Sequence, residues 1–318
     1  MGQWIDLLAR VRVSRDSRRA PDDRSDFLHG ASKVKWLRTL AALIILASLS
    51  GTAGAACTIS VVSANFGSYS GSALDPGAVP VTISCASGEA YDVGLSAGMG
   101  QGATVSSRKL TGPGGAVLAY TLFQDPGRSI VWGNTSGTNS ETGTGTDSEQ
   151  ILNMYPRLAA GQFIAPGTYT DTVTARVSSS STETTTFTIT AIVQAACTVE
   201  SQSLSFGGYA GLETDGVAVV TVTCTNTTTY NLGLSVGDGN GATITTRRMT
   251  GPSSATLDYQ LFQDSGRTTN WGDTVGADTM AGTGTGSAQS LSISGRIPSA
   301  QWVRPGSYSD VVIATVSY

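Results

Sequence analysis

"TTTFTITAIVQAAC", residues 184–197, alternates with the two-residue period of a β-strand. Phe187, Ile189, Ala191 and Val193 fall on one face, and Thr188, Thr190, Ile192 and Gln194 on the other. The stretch occurs once in a chain of 318 residues, whereas almost everything around it occurs twice. Which half of the chain owns this strand decides how the fold is closed.

The duplication is dense at a shift of 139–140 residues. "CTISVVSANFGSY" (57–69) answers "CTVESQSLSFGGY" (197–209), and "SCASGEAYDVGLSAG" (84–98) answers "TCTNTTTYNLGLSVG" (223–237). "RKLTGP" answers "RRMTGP", "LAYTLFQDPGR" answers "LDYQLFQDSGR", and "GTGTDSEQ" answers "GTGTGSAQ". "RLAAGQFIAPGTYTDTV" (157–173) answers "RIPSAQWVRPGSYSDVV" (296–312). Each copy has the size of one domain and is too long for a solenoid repeat.

Within the first copy, β-branched or alternating runs stand at 58–66, 79–85, 92–97, 108–110, 117–124, 150–155 and 168–177, separated by Gly, Pro, Asn and Asp. Seven short strands per unit, with no helical period, predict an all-β chain of two immunoglobulin-like antiparallel β-sandwiches in tandem. A barrel is the alternative. The four cysteines divide one pair per repeat, Cys57 with Cys85 and Cys197 with Cys224, each tying a first strand to a second. Closing a loop of that length is worth roughly 3.5 kcal/mol in the chain-entropy picture.

Residues 1–55 read as leader. Lys33, Lys35 and Arg38 precede the apolar run 40–49, and Ala53-Gly54-Ala55 forms a small-residue cleavage signal. The run is shorter than the roughly 20 residues a membrane span needs. The mature chain is expected to begin at Ala56, with a true translation start near Val34 as one explanation of the long leader. A lipid anchor at Cys57 is a rival reading, against which the disulfide claims the same thiol. Export makes disulfides permissible.

The leader holds nine of the 19 Lys and Arg and five of the 23 Asp and Glu, so the remainder carries 10 − 18 = −8. That acidic, Gly/Ser/Thr-rich product has no electrostatic footprint for nucleic acid. His29, the one histidine, lies in the leader, which removes His-based triads and metal sites from the mature part. "GTGT" lacks the Lys of a phosphate loop. No cofactor, metal, small-molecule substrate or catalytic residue is expected. A glycosidase working through two carboxylates is the enzymatic alternative.

Two sister sandwiches need the same number of strands, yet only one spare strand lies between them. One sandwich must therefore lack an edge within its own stretch of chain, leaving core side chains and backbone groups unpaired. Strand addition from another chain is the physical remedy. The spacer "SSSSTE" (178–183) reads as flexible and leaves the owner of the strand open.

Both copies resemble the spore coat protein U domain family. The resemblance rests on the opening Cys with Phe66-Gly67 and Tyr69 (Phe206-Gly207 and Tyr209), the second Cys, "R.(L/M)TGP", "L.Y.LF.D" with Trp132 or Trp271, "GTGT" and the ending "PG.Y.D.V...V". It covers 57–177 and 197–318. The family resemblance implies an incomplete immunoglobulin-like sandwich, completed by the N-terminal segment of the next subunit and, before assembly, by a periplasmic chaperone. Mapped here, residues 56–194 form a first sandwich completed in cis by strand 184–194, through Phe187, Ile189, Ala191 and Val193. Residues 195–318 form a second, incomplete one, whose C-terminal strand with Val312, Ala314, Val316 and Tyr318 offers the site for a chaperone or subunit. Burying Phe187, Ile189 and Val193 contributes about 5–8 kcal/mol before ordering costs.

A unit that receives a strand but offers none stands at the end of a fibre. The resemblance thus implies a tip subunit of a chaperone–usher pilus, exported through the inner membrane, held in the periplasm during assembly and displayed on the cell surface. Its partners are then the chaperone, an outer-membrane usher and the next pilin, and its role surface attachment and biofilm formation. A spore or cell-surface coat protein is the alternative. Apolar residues in loops of the first unit, Met99, Ile130, Val131, Phe163 and Ile164, are the candidate adhesive positions. Met99 stands against Asp238 and Ile130-Val131 against Thr269-Asn270, although Trp302-Val303 match Phe163-Ile164. Asp125 and Asp264 read as turn residues, Asp171 and Asp310 as local hydrogen-bond partners, and Trp132 and Trp271 as packing residues.

Overall fold

The computed structural model describes residues 5–14 and 57–318. The basic region, apolar run and cleavage signal at 33–55 lie outside the described residues. One strand, β1 (Ile5–Ser14), precedes two β-domains. The first domain comprises β2 (Thr58–Val61), β3 (Ala64–Tyr69), β4 (Val79–Ser84), β5 (Ala90–Leu95), β6 (Arg108–Thr111), β7 (Val117–Phe123), β8 (Glu141–Thr144), β9 (Glu149–Leu158), β10 (Gly167–Ser178) and β11 (Thr182–Val193). The second comprises β12 (Cys197–Ser201), β13 (Leu204–Ser205), β14 (Thr214–Cys224), β15 (Thr229–Leu234), β16 (Arg247–Thr250), β17 (Thr256–Phe262), β18 (Met280–Thr283), β19 (Gln289–Ile297) and β20 (Tyr308–Ser317).

The two domains share one topology. In the first, hydrogen-bonded strands run β2-β4-β9-β7-β6-β10-β11-β3; in the second, β12-β14-β19-β17-β16-β20-β1-β13. Each domain encloses its own core. Trp132, Tyr169, Leu118 and Val173 are fully buried in one, and Trp271, Leu257, Tyr259 and Val316 in the other. Alternation explains the strands: β10 and β20 bury every second residue, as a sheet packed on one face requires. Disulfides join Cys57 to Cys85 and Cys197 to Cys224, as the repeat predicts.

The spare strand belongs to the first domain. β11 pairs antiparallel with β10 over its whole length, from Gly167↔Val193 to Ser178↔Thr182, and parallel with β3 on its other edge. The serine spacer is not a flexible tether. β10 runs to Ser178 and β11 starts at Thr182, and Ser179 N–H bonds Ser181 O at 2.7 Å, so the spacer closes a tight hairpin. Phe187, Ile189, Ala191 and Val193 are buried at 3% exposure or less, while Ile192 on the outer face is 44% exposed.

The second domain differs from the expectation that residues 1–55 contribute nothing to the fold. Residues 197–318 do lack the equivalent of β11, but β1 fills that place, between β20 and β13. It runs parallel to β20, from Ile5↔Tyr308 to Ser14↔Ser317, opposite in direction to β11 against β10. The physical reason is in the sequence: Ile5, Leu7, Ala9, Val11 and Val13 alternate with Asp6, Leu8, Arg10 and Arg12. The register sets the five opposite Tyr308, Asp310, Val312, Ala314 and Val316, the buried positions of β20. An open edge with an apolar floor takes whichever alternating segment reaches it.

Candidate functional site

The grooves that accept a strand are the candidate site. In the first, β10 and β3 form the walls, and Tyr69, Tyr169, Val173 and Ala175 belong to the buried cluster that also holds the inward residues of β11. In the second, Val312, Ala314 and Val316 are at most 2% exposed. Tyr318 lies beyond the strand, half-buried against the same core. These are the residues the sequence marks as the C-terminal interaction strand. Pairing β20 with β1 joins backbone along ten positions, so an extended main chain satisfies the edge of the groove.

Each domain buries a polar network in its core. Arg108 is fully buried and donates four bonds to main-chain carbonyls: Nε to Ser96 at 2.8 Å, Nη1 to Val105 at 2.7 Å, and Nη2 to Leu95 and Trp132 at 3.0 and 2.7 Å. Burial pulls its pKa down to about 10. Tyr120 donates to Asp171 Oδ2 at 2.6 Å, and Asp171 Oδ1 accepts the N–H of Met99 and of Thr172 at 2.8 Å each. Burial, then the bond to Asp171, pushes the Tyr120 phenol far up. Asp171 thus reaches across the domain rather than only locally. Gly98, at φ +84°, lets the loop pass so close to Asp171 that a Cβ there would overlap the carboxylate.

The second domain repeats the network with Arg247, Tyr259, Asp310 and Asp238 N–H. The Arg of "R.(L/M)TGP" and the Asp of "PG.Y.D.V" are both buried in the core, which the motifs alone do not tell; their recurrence in both copies was the available signal. Trp132 and Trp271 are fully buried and donate Nε1–H to Val93 and Leu232 carbonyls, as packing residues do. Asp125 accepts N–H bonds from Ser129 and Ile130, the turn role expected of it. Among the described residues no group of three His, Cys, Asp or Glu is placed to hold a metal ion.

The candidate adhesive residues differ in exposure. Met99 is 80% and Ile130 53% exposed, and Val131 is half-buried. Phe163 and Ile164 lie in the loop that meets the second domain: the Phe163 carbonyl accepts Asn226 N–H at 2.9 Å. The linker is equally short. Gln194 N–H bonds Tyr69 O in the first domain, and Thr225 N–H bonds Ala196 O in the second. The two domains therefore meet pole to pole, and a residue at that junction is not at a free end. Ile164 packs instead against the first core.

Comparison with known proteins matches the sequence profile of the Spore Coat Protein U domain to residues 44–176 and again to 183–315. Protein U of Myxococcus xanthus is 40% identical over 60 residues, covering 19% of this chain, and the matched part spans about a third (33%) of that relative's length. Among solved structures, the CsuC–CsuE chaperone–tip adhesion subunit pre-assembly complex from archaic chaperone–usher Csu pili of Acinetobacter baumannii aligns with a TM-score of 0.51 at 17% identity. It covers 82% of this chain and 100% of the matched one. The CupB6 tip adhesin of Pseudomonas aeruginosa aligns with a TM-score of 0.32 at 9% identity, covering 83% and 99%. The likeness is one of fold: tandem β-domains of the kind found in pilus tip adhesins.

Proposed function

The chain belongs to the spore coat protein U domain family, in both of its halves, and on that premise we propose that it is the terminal adhesive subunit of a chaperone–usher surface fibre, assembled by donor-strand exchange. One observation carries the reading. The second family match begins at residue 183, so β11 opens the second unit in sequence while it completes the first unit in space. Sequence unit and structural unit are out of step by one strand, which is how a strand-exchanged fibre is built, here within one chain.

The first match begins at residue 44, so the segment that answers β11 ahead of the first unit falls on the apolar run and cleavage signal of the leader. After export the first unit has no strand to give. The second groove then takes one from the periplasmic chaperone and afterwards from the next pilin at the usher. The molecule receives and does not donate, and so ends the fibre. Met99 and Ile130 are the exposed apolar side chains by which the first domain touches a surface, in attachment and biofilm formation. Phe163 and Ile164 drop out of that role, being at the junction. A coat protein built by the same exchange is the second reading, favoured by the match to the Spore Coat Protein U domain.

The test is the chain begun at Ala56, which lacks β1. Its second domain is expected to aggregate and to be cleaved by protease. A peptide with the sequence of residues 184–194 should restore protease resistance to 197–318. A soluble, protease-resistant monomer without any added strand would overturn strand exchange.

A further inference from the structure

The junction between the domains is a worked example of how two units meet, and each half of it can be compared with its counterpart at the outer poles. The first domain contributes the loop 159–166. Gln162 clamps it by bonding both the N–H and the carbonyl of Ala119, at 2.8 and 2.9 Å. The ring of Phe163 lies over Gly71, and the Phe163 carbonyl receives Asn226 N–H at 2.9 Å. The second domain contributes Asn226 and Gly286. A Cβ on Gly286 would stand 2.7 Å from the Phe163 carbonyl oxygen, closer than such atoms approach, so the junction needs a residue without a side chain there.

The counterpart of Phe163 is Trp302. Its loop is built in the same way, with Gln301 bonding Asp258 N–H and carbonyl at 2.8 and 2.9 Å and the indole lying over Gly211. Phe163 is half-buried; Trp302 is 87% exposed, the most exposed of the large apolar side chains described. Among the described residues nothing donates to its carbonyl. An exposed indole on a rigid, clamped loop, at the place where the sister loop is covered, is an unfilled half of a known contact.

The counterparts of Asn226 and Gly286 are Ser87 and Asp147, at the far pole of the first domain. Both 286 and 147 have left-handed backbone, φ +79° and +59°. Glycine takes that conformation freely and Asp only at some cost. Asp147 repays it by accepting Ser87 N–H at 2.9 Å, the group that corresponds to the donor of the junction. The outer pole of the first domain is thus closed by its own carboxylate, while the outer loop of the second is open.

We propose that the Trp302 loop is the seat for the leading pole of the following subunit, a spore coat U-like domain presenting a free backbone N–H beside a left-handed glycine. Asp147 closes the corresponding pole of this chain against any preceding unit. The inference rests on the strand-exchange reading and adds to it a second contact, outside the groove, that sets which subunit follows and in which direction growth is blocked.

The test extends the chain begun at Ala56, whose second groove is free of β1, after Tyr318 with a copy of residues 179–318. The copied strand then has the groove of the second domain to enter, and the copied Asn226 and Gly286 have Trp302 to meet. Fluorescence quenching by acrylamide, with Trp302→Phe subtracted to isolate that indole, reports its exposure. Trp302 quenching is expected to fall by roughly half or more on extension, as at a packed interface. Gly→Asp at the copied position 286 should restore it while the copied strand stays protease-resistant. A protease-resistant copied strand with Trp302 still fully quenched overturns the seat and leaves strand exchange standing. A copied strand that stays protease-sensitive overturns both.

Discussion

The first domain takes its closing strand from the residues that directly follow it, and the second takes one from the opposite end of the chain. Around that difference the two are nearly the same object, with the same strand order, the same disulfide and the same buried Arg-Tyr-Asp network. In the first, a three-residue turn delivers β11 antiparallel to β10, so closing the sheet costs little loop entropy. In the second, β1 arrives from far away and lies parallel to β20. Direction is therefore not what the groove demands. Either ladder satisfies the backbone of the wall, and in the first domain apolar residues at every second place of β11 fill the floor. A groove so permissive can be held by different strands in turn, which is what the proposed assembly through a chaperone and then a neighbour requires.

The largest effect should come from breaking the closure of the first domain. Ile189 is fully buried among the residues of its core, and Ile189→Asp is expected to cost more than about 4 kcal/mol, enough to unfold that domain. Deleting residues 1–14 should leave the first domain's unfolding transition in place and abolish the second's cooperative one. Thermal unfolding followed by protease mapping separates the two. Loss of both transitions on deletion would mean that the domains do not close independently.

A smaller effect is expected from the networks beneath the grooves. Arg108→Met and Arg247→Met each leave four carbonyl contacts without a donor, which should cost roughly 3–5 kcal/mol in the domain concerned. Denaturant midpoints measured for each domain should move by similar amounts. A large cost in one and a negligible cost in the other would break the equivalence of the two scaffolds.

The smallest effect on stability should accompany the largest on attachment. Met99→Asp with Ile130→Thr gives the first domain the residues of the second at exposed positions. Stability should change by less than about 0.5 kcal/mol. Adhesion of cells carrying the variant to an apolar surface should fall sharply, with display on the cell unchanged. Adhesion at the unaltered level would remove these side chains from the proposed contact.

Most of the strands were legible because alternation survives wherever one face is buried; β10 and β11 read directly from "GTYTDTVTARVS" and "TETTTFTITAIV". β8 was missed since "ETGT" carries no apolar period and is held only by its pairing with β5. The serine run looked like a tether because turn and linker share a composition, and only the partner strand distinguishes them. The junction contact of Phe163 was not legible because its neighbour there, Asn226, lies more than sixty positions away in sequence.

Sequence alone determined that this chain is a duplicated, disulfide-bonded β-protein with one spare strand between two copies, because repetition, cysteine spacing and two-residue alternation are local patterns. Tertiary structure decided who uses that strand, what fills the other groove, and which loops face a neighbour. Those outcomes depend on backbone edges brought together from distant parts of the chain, and an edge has no signature in sequence until its partner is known.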